Sequence, residues 1–201
     1  MTTDITDRIA VAHDLADAAR AITLAHFRTP LDVESKGAAF DPVTVADRAA
    51  EAAMRAILAE RCPDDGILGE EAAAVAGSSG WTWVLDPIDG TRGFIAGTPT
   101  WGVLIALSGA DGPVHGLIDQ PYIGERFEGG PGGATLRRGA DARELRVRGT
   151  ATLAQATILT TFPEVGTPAE RAAFERVAGA CRLTRYGLDC YAYALLAAGH
   201  V

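Results

Sequence analysis

Trp83-Val84-Leu85-Asp86-Pro87-Ile88-Asp89-Gly90-Thr91 carries an apolar run straight into two aspartates, with a proline between them and a glycine and a hydroxyl behind. Trp83, Val84 and Leu85 read as a short buried strand. Pro87 is expected to end the sheet ladder because it has no N–H to donate, and Gly90 lets the backbone approach a ligand closely. Two carboxylates three residues apart at the C-terminal end of a strand suit a hard divalent cation, which takes several oxygens. Asp-Pro and Asp-Gly pairs are also common turn formers, so on this stretch alone a structural turn and a metal site both stand.

Upstream, Gly66-Ile67-Leu68-Gly69 reads as a second short strand, and it too ends in acids, Glu70-Glu71. Successive strand residues point to opposite faces, so one of these glutamates can enter a site while the other faces away or supports it. Asp47 falls in the first turn of a predicted helix, where the helix dipole favours an acid whatever the function. Thr44 is the N-cap of that helix, and Ala49, Ala50, Ala53, Met54, Ile57 and Leu58 form its apolar face before Pro63. Residues 72–80 are small and polar and read as a loop or an ill-defined helix.

Nearer the N-terminus, residues 31–34 alternate as a strand should, and residues 35–42 follow as a loop with one basic residue, Lys36. Residues 4–27 repeat apolar side chains at helical spacing, Ile5, Ile9, Ala12, Ala16, Ala19 and Ile22, with Asp4 and Asp7 at the start. His13 and His26 sit inside this pattern and read as surface or packing residues.

Downstream, residues 92–99 form a glycine-rich connection and residues 101–107 a largely apolar strand. Short runs at 114–119, 125–128, 134–137 and 145–148, separated by glycine and proline, predict antiparallel sheet. A strand at 156–160, a helix at 168–179 opened by Pro168, a strand at 182–186 and an apolar helix at 189–198 complete the pattern. Helices flanking antiparallel runs, then alternating strand and helix, predict a layered α+β fold. Residues 1–150 would form its N-terminal part, with the sheet and the site, and residues 151–201 the start of a C-terminal α/β part.

A chain of 201 residues that is 48% hydrophobic can bury a core. With 26 acidic against 18 basic residues its formal net charge is −8, which argues against broad binding to nucleic acid or anionic membrane. The first residues lack a signal peptide's basic start and apolar run, and no apolar stretch is long enough to span a bilayer; a cytoplasmic location is expected. Cys62, Cys181 and Cys190 lack paired spacing and read as reduced, packed thiols.

Asp47, Glu70, Asp86 and Asp89 lie at one helix start and two strand ends, which is how a fold gathers acids from distant sequence. Four carboxylates in one place cannot all ionise cheaply, so the cluster implies bound cations or a raised carboxyl pKa. Magnesium ions resolve that conflict, and their chemistry suits phosphate-ester hydrolysis. Thr91 supplies a hydroxyl, and the N–H groups of Gly90 and Thr91 could hold phosphate if a helix or nest begins there.

The ordered motifs Asp41-Pro42-Val43-Thr44-Val45-Ala46-Asp47, Gly69-Glu70-Glu71 and Asp86-Pro87-Ile88-Asp89-Gly90-Thr91 resemble the inositol monophosphatase family of magnesium-dependent, typically lithium-sensitive phosphatases. The resemblance runs over essentially the whole chain. It implies the layered α/β/α/β sandwich of the inositol monophosphatase and sugar phosphatase type, and two to three Mg2+ ions. Glu70, Asp86 and the Ile88 carbonyl would hold the first ion, Asp86 with Asp89 would contribute to the second, and Glu70 would help with a third. Asp47, Glu70 and Thr91 would be the catalytic set, with Asp47 and Thr91 activating the attacking water and Gly90 and Thr91 touching phosphate.

Within the family, Arg92-Gly93-Phe94-Ile95, Thr100-Trp101-Gly102, Ile118-Asp119-Gln120-Pro121 with Glu125-Arg126, and Tyr186-Gly187-Leu188-Asp189-Cys190-Tyr191-Ala192-Tyr193 resemble the histidinol-phosphatase branch. That branch converts L-histidinol phosphate to L-histidinol in histidine biosynthesis. Asp189 would then pair with the cationic end of the substrate and Arg185 would help shape the pocket, although Asp189 is equally suited to cap the helix it precedes. Inositol-1-monophosphatase and 3′-phosphoadenosine phosphatase activities are the rival readings with the same chemistry. A non-catalytic phosphate- or partner-binding derivative is the rival of another class. Family members continue beyond the apolar helix that ends near Val201, and a later aspartate completes their second metal site. Relative to them the last strands and helices are missing, so the sequence is either a fragment of a longer protein or a shortened product, and for a shortened product a weakened second site, low activity and a tendency to associate are expected. Relatives are commonly dimers, and the resemblance implies a homodimer.

Overall fold

The computed structural model describes residues 5–30, 33–35, 42–164 and 166–201. The expected loop between Ser35 and Pro42, the first part of the expected strand at 31–34 and the start of the first helix at Asp4 lie outside the described residues.

Helix α1 (Ile5–His26) turns Val11, Ala12, Leu15, Ala16 and Ala19 inward, and the alanines let it lie close to its neighbour. Strands β1 (Val33–Ser35) and β2 (Pro42–Thr44) pair antiparallel and lead into α2 (Val45–Arg61), which buries Ala46, Ala50, Met54 and Leu58. Seven strands follow in one sheet whose spatial order is their chain order: β3 (Gly66–Gly69), β4 (Thr82–Asp89), β5 (Gly102–Gly109), β6 (Gly112–Gln120), β7 (Glu125–Gly130), β8 (Gly133–Arg138) and β9 (Asp141–Glu144). β3 and β4 are parallel and every later pair is antiparallel. Trp83 and Leu85 alternate inward from β4, as do Val103, Ile105 and Leu107 from β5, and they form one core with the inner faces of α1 and α2.

A buried ion pair ties this layer together. Arg8 donates to both carboxylate oxygens of Asp65, at 2.8 and 2.7 Å, and Asp65 also accepts from Ser79 Oγ at 2.6 Å and Trp83 Nε1 at 3.0 Å. Burial opposes the charge on Asp65, yet the bonds from Arg8, Ser79 and Trp83 hold its carboxyl below the ordinary range.

After β9 the chain makes a 3-10 turn at Leu153–Gln155 and then β10 (Thr157–Thr160), α4 (Pro168–Ala178), β11 (Leu183–Tyr186) and α5 (Asp189–Ala197). β10 and β11 pair in parallel as a separate sheet. Thr167 and Glu170 close a capping box at α4, with Pro168 in its first turn. Ala194 of α5 packs with Phe127, Leu136 and Leu145, so helices lie on both sides of the large sheet and the expected layered α+β fold is the one found.

Two strands differ from their expected extents. Pro87 does not end β4, which pairs Asp86 with Leu104 and resumes at Asp89 with Gly102, leaving Pro87 and Ile88 opposite Val103 alone. That extra residue is a bulge, and β3 has already stopped at the Gly69–Leu85 pair, so Pro87 interrupts no ladder on that side. The strand expected at 145–148 lies earlier, at Asp141–Glu144, because the turn after Arg138, with Gly139 at φ 59°, pairs Arg138 directly with Asp141. Leu145 makes a last ladder bond to Ala134 at 2.8 Å, and the chain then leaves the sheet. The glycine-rich connection begins instead as a short helix, α3 (Thr91–Ile95).

Candidate metal centre

The bulge decides where the acids point. Three residues apart on a regular strand, Asp86 and Asp89 would face opposite sides; one inserted residue restores them to the same side. The Ile88 side chain anchors the bulge in a buried cluster with Phe27, Phe94 and Trp101, whose rings stand 4.8 to 5.4 Å apart between centroids. The Ile88 amide donates to Asp86 Oδ1 at 3.1 Å, an Asx-type turn spanning Pro87, and the Ile88 carbonyl accepts from Thr91 Oγ1 at 3.0 Å. The turn reading and the site reading of this stretch therefore describe the same atoms.

Glu70 approaches Asp86 from the end of β3, where a bond shared between the two carboxyls favours the protonated form of Asp86. Burial, the charges of Glu70 and Asp89 and that shared bond push the Asp86 carboxyl up to about 8, against the pull of the Ile88 amide. Among the described residues no three of His, Cys, Asp and Glu stand in a ready-made ligand cage. The donor set nevertheless fits magnesium: three carboxylates and the Ile88 carbonyl are all hard oxygen donors, and the proton held at Asp86 is what a cation would replace.

Asp89 also reaches across the fold, its Oδ2 accepting from the Cys190 amide at the start of α5. The chain enters α5 through three successive left-handed residues, Gly187, Leu188 and Asp189, with φ 79°, 84° and 43°. Leu188 occupies the N-cap position and offers no side-chain cap, and Asp89 from β4, rather than Asp189, accepts from the first turn of the helix. The Asp189 carboxylate instead lies against Gly90, where a Cβ would come within 2.8 Å of its Oδ2. Burial first, and the Asp89 charge second, raise the Asp189 carboxyl above its ordinary value, while Arg92 pulls it down. Gly90 itself has φ 87°, so Gly90→Ala is doubly strained and should cost about 1–3 kcal/mol, read from the urea midpoint.

Asp189 and Gly90 open onto a cavity of about 710 Å3 that also touches Thr91, Arg92, Phe162 and Glu164. Arg92 lies over the Phe162 ring at 5.7 Å. Arg185 is exposed on β11 and lines neither this cavity nor the smaller one beside β10. Asp47 is buried at the start of α2, where its Oδ2 accepts from the Thr44 amide at 2.9 Å and the Thr44 hydroxyl at 2.6 Å, completing a capping box. Cys62 and Cys190 are buried and Cys181 is partly so, all as free thiols, and burial with nearby Asp89 pushes the Cys190 thiol far up. Among the described residues no helix is long and apolar enough to cross a membrane.

Acids gathered at the ends of adjacent strands, with a carbonyl and a hydroxyl near an open cavity, offer a set of hard oxygen donors in a layered α+β protein. The family model of the inositol monophosphatase family matches residues 4–201, and the chain belongs to that family. It is 42% identical over 194 residues to the bifunctional phosphatase IMPL2 of Arabidopsis thaliana, a chloroplastic protein, covering 96% of this chain and 55% of the relative. It is 40% identical over 161 residues to the histidinol-phosphatase of Streptomyces coelicolor, covering 77% of this chain and 60% of the relative. The chain thus spans less than two thirds of the length of these two curated relatives. An inositol monophosphatase from Zymomonas mobilis superposes with a TM-score of 0.83 at 40% identity, over 98% of this chain and 75% of its own.

Proposed function

We propose that this chain carries the metal-dependent centre of a phosphate monoester hydrolase for small metabolites, with L-histidinol phosphate as the substrate. The observation that carries this reading is the gathering of Glu70 and Asp89 around Asp86, with Asp189 set against Gly90 on the adjoining cavity.

Glu70, Asp86 and the Ile88 carbonyl would hold a first magnesium ion, Asp86 and Asp89 would contribute to a second, and Glu70 would help with a third. When bound, magnesium supplies charge neutralisation at phosphoryl oxygens and a more acidic water. Asp47 and Thr91 would orient the attacking water and take its proton, and the amides of Gly90 and Thr91 would hold a phosphate oxygen. α3 has only five residues, so individual N–H groups rather than a helix dipole would do the holding. Asp189 and Glu164 give the cavity an acidic wall, which suits the amine and imidazole of histidinol. Relatives named histidinol-phosphatase support this choice. The solved inositol monophosphatase at 40% identity supports a second reading, a myo-inositol phosphate substrate.

Phosphate release by the purified chain from L-histidinol phosphate, myo-inositol 1-phosphate and 3′-phosphoadenosine 5′-phosphate, with and without magnesium, tests both. L-histidinol phosphate should be hydrolysed fastest, and Asp189→Ala should lower its kcat/KM about tenfold or more relative to the inositol ester. A faster inositol ester would favour the second reading. Turnover that is indifferent to magnesium would sink the metal-dependent reading of the centre, and no turnover of any ester by the folded chain would sink the hydrolase reading in favour of a binding role.

A further inference from the structure

We infer that Glu51 is the positioning residue of the metal centre, fixing the turn that brings Glu70 to Asp86. This rests on the reading of Glu70 as an ion ligand. Glu51 lies one helical turn beyond Asp47 on the buried face of α2, beside Ala50 and Met54, and is only 1% exposed. A carboxylate in that setting is costly unless its oxygens are fully engaged.

They are engaged by the turn that carries Glu70. Glu51 Oε2 accepts from the Glu71 amide at 2.7 Å, and Oε1 accepts from the Ala72 amide at 3.0 Å. Arg55 Nε donates to Oε1 at 2.8 Å, and Arg55 Nη2 donates to the Ala72 carbonyl at 3.0 Å. One helix therefore grips the segment by successive amides and a carbonyl.

The sheet does not do this work itself. β3 ends at Gly69 and Ile67 pairs with Val75 in an isolated bridge, so Glu70 lies in the turn between the strand end and that bridge, next to the Glu71 and Ala72 amides that Glu51 holds. Gly69 shows how tightly Glu51 approaches: a Cβ there would lie 2.3 Å from Glu51 Oε1 and 2.7 Å from Arg55 Nη2. The glycine is required by the carboxylate behind it.

Mn2+ titration followed by electron paramagnetic resonance, on the whole chain, separates a positioning role from simple stabilisation. Glu51→Gln keeps the shape but turns an amide donor toward the backbone amides it must accept from, and should weaken Mn2+ binding about 10–100-fold. Arg137→Gln, which removes an exposed ion pair to Glu128, should leave Mn2+ affinity unchanged. If Glu51→Gln does not fold, Gly69→Ala carries the same test with Glu51 intact, because the added methyl displaces the turn. A folded Glu51→Gln or Gly69→Ala chain that binds Mn2+ like the wild type overturns the inference, even if its melting temperature falls, since Glu51 would then only anchor a loop. Absence of saturable Mn2+ binding by the wild type overturns the ligand reading of Glu70 and this inference with it.

Discussion

Asp86→Asn should abolish magnesium-dependent phosphate release, by about a thousandfold, equivalent to about 4 kcal/mol of barrier, and should at the same time raise the melting temperature of the ion-free chain. The two effects have one cause. Asp86 is pushed up by burial and by the charges of Glu70 and Asp89, so without a cation its ionised form is unwelcome in the folded chain. Asparagine keeps an acceptor for the Ile88 amide and offers Glu70 a permanent donor, which removes the conflict along with the ligand. The sign with pH follows from the same shift. A carboxyl raised from 3.8 to about 8 binds its proton more tightly when folded, so the contribution of Asp86 to the ion-free fold is fullest below 3.8 and is lost as pH climbs toward about 8. In Asp86→Asn this slope should flatten. Melting curves in chelator at pH 5 and pH 8, with and without added magnesium, test all three points. A lower melting point for Asp86→Asn at pH 8 in chelator would count against this account of the acid cluster.

Arg8→Ala should be the most damaging single change to the fold, at about 3–5 kcal/mol. The Arg8–Asp65 pair is 3% exposed at each residue, and removing the guanidinium leaves Asp65 to Ser79 and Trp83 alone. Asp65 is held below its usual range, so its contribution is present above 3.8 and lost as pH falls through its lower folded value. Arg8→Ala should therefore lose most at neutral pH and least in acid. Replacing both partners by apolar residues should recover much of the loss, because it removes the desolvated charge as well as its partner. Urea unfolding at pH 7 reads the effect, and a change below about 1 kcal/mol would show that Ser79 and Trp83 suffice.

Much of this fold is legible in the chain because its local signals agree with one another. The helical spacing of Ala12, Ala16 and Ala19, the Thr44–Asp47 cap and the glycine-rich punctuation from Gly109 onward each define an element that the structure contains. The acids at Glu70, Asp86 and Asp89 were legible for the same reason, since strand ends are where side chains from distant sequence meet. What was not legible depends on partners. Pro87 has to end a ladder only if a strand lies on its N–H side, and β3 stops too early for that. Leu145 and Val147 look like strand residues, but the Gly139 turn sets the register before they are reached. Asp189 has the chemistry of a cap, yet the left-handed run before it turns its carboxylate toward Gly90 and leaves Asp89 to meet the helix. Glu51 left one visible trace, a lone acid among small residues one turn after Asp47. The amides it holds are 20 and 21 residues away, and nothing local announces them.

The bond from the Cys190 amide to Asp89 spans 101 residues, and it has a kinetic meaning. A helix of nine residues cannot hold its own first turn in water, because nucleation is costly and too few bonds follow. α5 should therefore form only after β4 and its bulge are in place, late in folding and behind a long loop closure. It should also be the first helix to open when the bulge is disturbed, so amide exchange along α5 would report events at Asp89.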